Sequence, residues 1–247
     1  MNKLIYQEVS QFVNHSMEEL NGKYVAALQK IKFSRLLQNN PYRLADKNIT
    51  NAGNWVSDMV ETLVSSNEEK LFGDFLESLA IFVAQKTCNG RKSVSQGVDL
   101  ELENDGTLYI ISIKSGLNWG NSSQHRALER DLQNCVRVYK QGNNSLNIQP
   151  VLGICYGKTR TSFLHGYMKV VGQNFWYLIS EDKNLYTEII EPIGYRAKEH
   201  NDAYLTQKNA LINKYTQEFV SRFCDKKGNI QWIKVVEFNS KNLDLDK

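Results

Sequence analysis

Cysteine is scarce and scattered in this sequence: Cys88, Cys135, Cys155 and Cys224 form no CxxC pair, and none of the four histidines lies at ligand spacing from them. That excludes a zinc knuckle and a disulfide framework, both of which need clustered thiols or imidazoles. Long apolar runs are also missing. Nothing approaches the roughly 18 residues of a membrane span, and the stretch from Met1 to Phe12 carries Asn2, Lys3, Gln7 and Glu8 where a leader would have an apolar core. A cytoplasmic, reducing setting and no membrane partner are expected. There is no internal repeat, low-complexity tract or long linker, so the 247 residues are read as one domain, 1–247. Excess charge is absent too: 30 Lys and Arg face 27 Asp and Glu, a balance that does not by itself demand a polyanionic partner.

What is present is a change of hydrophobic period along the chain. From Tyr6 to Leu37 apolar residues recur at helical spacing, with an interruption at Asn21-Gly22 that predicts two helices, and Asn39-Asn40-Pro41 ends the pattern. A helix is expected from about Thr50 to Val64. Ser66 and Glu69 form a capping-box pattern that predicts a new helix to about Lys86, with a stripe of Phe72, Phe75, Leu76, Leu79 and Val83 and with Glu77 off it. Strand alternation takes over in Gly97–Glu103, Asn104-Asp105-Gly106 signals a turn, and Thr107–Lys114 is β-branched and aromatic, together a β-hairpin. Then follow a helix over Gln124–Tyr139 with Ser122 or Ser123 as expected N-cap, and a buried strand over Pro150–Tyr156. Strand or loop is expected in Gly166–Ile179, a helix over Asp202–Cys224 and a last strand over Gln231–Phe238. The fold class is α/β: a helical part at 1–90, a mixed sheet core at about 91–195 flanked by helices, and an addition at 196–247.

The hairpin sets a register with chemical consequences. A two-residue turn at Asp105-Gly106 pairs Asn104 with Thr107 and places Asp99 opposite Ser112, with Lys114 as its diagonal neighbour on the same face. A carboxylate, a hydroxyl and an ammonium then converge. A bulge at the turn would send Asp99 and Lys114 to opposite faces. The plain alternative is a solvated face of Asp99, Glu101 and Glu103 with Lys114 as an ordinary charge partner.

Asp99 followed by Ser112-Ile113-Lys114 resembles the signature of the PD-(D/E)xK nuclease superfamily. With Ser115-Gly116, the Asn118-Trp119-Gly120-Asn121-Ser122-Ser123-Gln124 run, the strand Val151–Gly157 and the Phe72–Glu77 helix, the chain is similar to type II restriction endonucleases over about residues 40–196. The resemblance implies a restriction-endonuclease-like core and Mg²⁺-dependent hydrolysis of double-stranded DNA at a short, G/C-rich pseudo-palindrome. It further implies a homodimer and a companion DNA methyltransferase. Two departures stand out: Gly97-Val98 replaces the proline, and Ser112 stands where an acid is usual, although serine is a poor ligand for a hard cation. In similar enzymes a Glu of the preceding helix supplies the missing carboxylate, here Glu77, with Glu101 as second choice. Asp99, Glu77 and the main-chain carbonyl of Ile113 are then the expected metal ligands, with Lys114 and Ser112 completing the catalytic set.

Lys114 to Arg160 holds seven basic residues against Glu129 and Asp131, more excess charge than the whole chain carries, which suits a phosphate-facing surface. Asn118, Asn121, Ser122, Ser123, Gln124, Arg126, Lys158 and Arg160 are the candidate DNA contacts, and Trp119 is read as packing. The polar run also suits a plain capping loop. A repair or recombination nuclease with the same core, or a noncatalytic DNA-binding module favoured by Ser112, are the alternative functions.

Overall fold

In the computed structural model the described residues are 3–46, 49–195 and 197–243; Met1, Asn2 and Arg196, which the sequence reading touches, lie outside them. The order of elements is α1 (Lys3–Lys30), α2 (Phe33–Leu36), α3 (Pro41–Asp46), α4 (Ala52–Thr87), β1 (Arg91–Lys92), β2 (Leu100–Asn104), β3 (Thr107–Lys114), α5 (Ser122–Gly142) and β4 (Asn147–Ile154). β5 (Ser162–Leu164), β6 (Tyr167–Val171), α6 (Gln173–Ser180), α7 (Leu185–Glu188), α8 (Ile190–Gly194), α9 (Ala197–Phe223) and α10 (Trp232–Ser240) follow. The chain forms two compact units, Met1–Glu18 with Phe72–Tyr195, and Glu19–Leu71 with Arg196–Lys247.

The first unit is built on a six-stranded mixed sheet of order β1-β2-β3-β4-β6-β5. β3, β4 and β6 are parallel, and the outer pairs are antiparallel. This is the α/β class that the alternation of periods implies: parallel neighbours need a crossover, and α5 supplies it between β3 and β4. Leu108, Ile110, Leu152 and Ile154 pack with Leu128, Leu132 and Cys135 of α5 on one face. On the opposite face Gly153 lies against Phe175 of α6 and beside Ile111, and Gly90, just after α4, lies against Ala84 and beside Leu100. The Trp176 indole N–H donates to the Cys155 carbonyl at 2.8 Å, tying α6 to the end of β4.

The second unit is helical. Its core joins Leu28, Phe33, Leu36, Trp55, Val56, Val60, Tyr215, Phe219, Phe223 and Val235, with Trp55 and Phe219 rings 4.4 Å apart. The Tyr215 hydroxyl donates to the Ile31 carbonyl where α1 ends, and the Lys208 ammonium pairs with Glu61 at 2.7 Å.

Several expected boundaries are corrected. α1 runs through Asn21-Gly22 unbroken. One glycine costs a helix only about 1 kcal/mol relative to alanine, less than breaking a helix with buried Val13, Leu20 and Leu28. The Ser66 capping box is bypassed as well: α4 is continuous, and its start is capped by Asn51, whose side chain accepts from the Asn54 amide at 2.9 Å. Ser65-Ser66-Asn67 contains no breaker, so the helix keeps its internal bonds. Gln231–Phe238 is helix rather than strand; its β-branched residues suggested a strand, but Val235 is buried while Ile233 is exposed. Gly166–Ile179 resolves into β6 followed by α6.

β4 carries its glycine for space. A Cβ on Gly153 would come within 2.4 Å of the Phe175 ring and 3.2 Å of Ile111. Gly153→Ala should therefore destabilise the protein by about 1–3 kcal/mol through overpacking, read as a lower midpoint in urea unfolding with unchanged slope.

Candidate active site

The ladder between β2 and β3 has the register that a two-residue turn dictates, Asn104 with Thr107 through Leu100 with Ile111. At Asp99 the ladder ends in a particular way. Its carbonyl accepts the Ser93 amide on the β1 side, but its amide swings to the Ile111 carbonyl at 2.9 Å, so the backbone of Asp99 shares Ile111 with Leu100 instead of pairing with Ser112 as expected. Its side chain restores the approach to Ser112, Oδ2 accepting the Ile113 amide at 2.6 Å and lying 3.4 Å from the Ser112 hydroxyl, which can donate to it. The Lys114 ammonium stands 4.0 Å from the same oxygen. Asp99, Ser112 and Lys114 thus meet on one face. All three contacts fall on Oδ2, leaving Oδ1 as the oxygen available to a ligand.

Successive residues of a strand present their amide and carbonyl to alternate sides. The Lys114 carbonyl accepts the Cys155 amide at 2.9 Å on the β4 side, so Ile113 presents both its groups to the β2 side. Its amide goes to Asp99. Beyond Asp99 the chain turns on itself, the Val98 amide donating to the Ser95 carbonyl at 3.2 Å, so no ladder amide faces the Ile113 carbonyl.

Glu77 arrives from α4. A Cβ on Gly73 would stand 3.8 Å from the Ser115 side chain, and Ala84 packs against Gly90, which lies beside Leu100. Residues 73, 77, 80 or 81, and 84 share one helix face, which carries Glu77 over the end of the hairpin. Burial pushes the half-buried Glu77 carboxyl above its ordinary value, the nearby Asp99 charge pushes it further, and Lys92 and Lys114 pull it back. Among the described residues no three His, Cys, Asp or Glu side chains gather as a metal cluster. The groups that could serve a cation here are the Asp99 and Glu77 carboxylates and the Ile113 main-chain carbonyl. These fit Mg²⁺, which commonly keeps several waters and binds through one or two carboxylates and substrate phosphate.

Glu101, the second-choice ligand, has other partners. It is 3% exposed, and it accepts Arg91 Nε at 2.9 Å, the Ser93 hydroxyl at 2.7 Å and the Tyr139 hydroxyl at 2.7 Å. Burial alone would raise its carboxyl, but these three donors and the Arg91 charge outweigh it and hold the group below its ordinary value.

After Lys114 the chain makes a tight polar segment. The N-cap of α5 is Asn121 rather than either serine: its side chain accepts from the Ser123 and Gln124 amides, and Gln124 returns a bond from the Asn121 amide at 2.8 Å. The Asn-x-x-Gln spacing offers this reciprocal cap one residue before the serines. Asn118, Ser122, Ser123, Arg126, Lys158 and Arg160 are exposed, as are the capping pair. Two features were not read from the sequence. Trp119 stacks near His125, with ring centroids 4.3 Å apart, and lies under the Lys114 ammonium at 5.7 Å; Tyr139 of α5 reaches across to Glu101. A Trp five residues after Lys114, between Gly116 and Gly120, was the available signal for the first.

The family model described as type II restriction endonuclease EcoO109I matches residues 7–201, a span that contains Glu77, Asp99, Ser112, Lys114 and the polar segment. No curated protein matches the chain.

Three donors converge on the two Glu101 oxygens, so an amide there would turn an N–H toward a donor. Glu101→Gln should cost about 1–3 kcal/mol at neutral pH. A carboxyl whose folded pKa is depressed contributes stability above its unfolded pKa and loses it as pH falls through the folded one. The gap between wild type and variant in chemical denaturation should accordingly close below the usual carboxylate range.

Proposed function

Because the chain belongs to the type II restriction endonuclease EcoO109I family, and is thus a site-specific deoxyribonuclease, we propose that it cleaves DNA at the cluster of Asp99, Glu77, Ile113 and Lys114 with Mg²⁺ as cofactor. The observation that supports this most is the Asp99 carboxylate, tethered through Oδ2 to the Ile113 amide at 2.6 Å, with the Lys114 ammonium beside it. Asp99 Oδ1, the Glu77 carboxylate and the Ile113 carbonyl would hold the cation. Bound there, Mg²⁺ supplies Lewis acidity for the phosphoryl oxygen and lowers the pKa of a coordinated water.

Lys114 orients the attacking water and offsets charge that develops on the phosphate. Ser112, 2% exposed, is too enclosed and too weak a donor oxygen to replace the usual acid; it steadies Asp99. Asn118, Asn121, Ser122, Ser123, Gln124 and Arg126 face DNA from the start of α5, and Lys158 and Arg160 from the loop after β4. Their side chains suit phosphate and base-edge contacts. A pseudo-palindromic, G/C-rich site read by a homodimer matches two-fold protein to two-fold DNA. A companion methyltransferase that protects host sites belongs to the same reading.

The test is incubation of unmethylated phage DNA with the purified chain in Mg²⁺ or EDTA. Discrete fragments in Mg²⁺ and none in EDTA are expected, with Lys114→Ala, Asp99→Asn and Glu77→Gln each lowering the rate by roughly 100-fold or more. A smear would point to a repair-type nuclease. Intact DNA under conditions where the protein binds it would point to a noncatalytic module, the reading that Ser112 favours.

A further inference from the structure

We infer that Trp119 is a positioning residue for Lys114, and that it couples the DNA-facing segment 117–125 to the cleavage cluster. The inference rests on the function proposed above. Lys114 ends β3 with its side chain one-third exposed, and its ammonium lies between the Asp99 carboxylate at 4.0 Å and the Trp119 ring at 5.7 Å. The carboxylate contact is long. An ammonium on a flexible four-carbon stem has many orientations open to it at that distance, and the indole face supplies a second attraction that selects among them.

Trp119 is itself held from behind. Its ring lies 4.3 Å from His125 in the first turn of α5 and packs against the cluster that contains Leu128 and Ile154. The rest of the segment is equally constrained. A Cβ on Gly116 would come within 2.4 Å of the Tyr156 ring, Gly120 takes the left-handed region at φ +76°, and the Asn121–Gln124 capping box closes the turn. Yet Asn118 and residues 121–126 are exposed. Contacts that shift these exposed residues move Trp119 with them, and the Lys114 ammonium follows. Recognition thereby adjusts the group that handles the attacking water.

The experiment uses the full chain with Trp119→Leu and Trp119→Phe, on a duplex carrying the site found by sequencing fragment ends. Single-turnover cleavage is measured in Mg²⁺ and DNA affinity in EDTA. Trp119→Leu should lower the cleavage rate by roughly 3- to 30-fold with little change in affinity, and Trp119→Phe should restore most of the rate. Lost affinity at an unchanged rate would overturn the proposal by making Trp119 a DNA contact. No change in either would make it a bystander, and a defect that Phe fails to restore would assign it to folding of the segment. Should Trp119→Leu not fold, Trp119→Met, which keeps an apolar side chain but no ring for the ammonium, must show the same rate-only defect or the proposal fails. Lys114→Ala separates the two levels: if it cleaves normally the active-site reading is wrong, whereas an inactive Lys114→Ala beside a normal Trp119→Leu overturns the coupling alone.

Discussion

A side-chain oxygen replaces a strand carbonyl at the end of β2, and the candidate site depends on that exchange. The Ile113 amide needs an acceptor, because a buried backbone donor left unpaired costs about 1–3 kcal/mol. Asp99 provides one at 2.6 Å. The bond is charge-assisted, and so stronger than the ladder bond it replaces. It does two things at once. It ends the pairing of β2 with β3 without stranding a donor, and it fixes the carboxylate by one oxygen while the other keeps no protein donor.

Two acids, two residues apart on the same strand face, meet opposite fates by this logic. Glu101 sits where Arg91 from β1, Ser93 from the following turn and Tyr139 from α5 all reach it, and their donors saturate both its oxygens. It behaves as a clamp that joins the sheet edge to the crossover helix. Asp99 lies beyond the last ladder pair, where β1 has already ended, and it has donors on one oxygen only. Alternation alone made the two carboxylates equivalent; their surroundings separate them.

The hairpin was legible because turn chemistry and alternation act locally: Asp105-Gly106 takes the left-handed region at both positions, φ +47° and +68°, and the register follows. The mixed sheet and the helical character of the first third were legible from the change of period, but not that α1 and α4 each run unbroken. Residues whose role depends on distant neighbours were less so. Glu77 reads as the outer side of an amphipathic helix, yet Ala80, Ile81 and Ala84 on its own side are buried, because α4 is enclosed on more than its large apolar stripe. Ser66-x-x-Glu69 offers a sound local cap that the continuous helix overrides. Trp119 was read as packing, which it does, but its approach to Lys114 depends on a turn whose shape the sequence shows only as two glycines. Asn121 outcompeted the serines through a side-chain pair that becomes visible once the helix start is placed.

Ser112 is the position where the hairpin departs most from the pattern it resembles, and charge balance gives a physical reason that it can. An acid there would stand beside Asp99 Oδ2 in a place that is 2% exposed, where two carboxylates repel and neither has water to screen it. In the proposed site the second carboxylate comes instead from Glu77, on a different element and half-buried, where the Asp99 charge raises its carboxyl and Lys92 and Lys114 lower it. Its placement is then set by hydrophobic packing rather than by strand register. Gly73 beside Ser115 and Ala84 against Gly90, which itself lies beside Leu100, fix where α4 crosses the end of the hairpin, and Glu77 lies on that same helix face between them. The apolar contacts of a helix thereby set the separation of two charges, a distance that a β-hairpin with acids at both positions would have had to build into one strand pair.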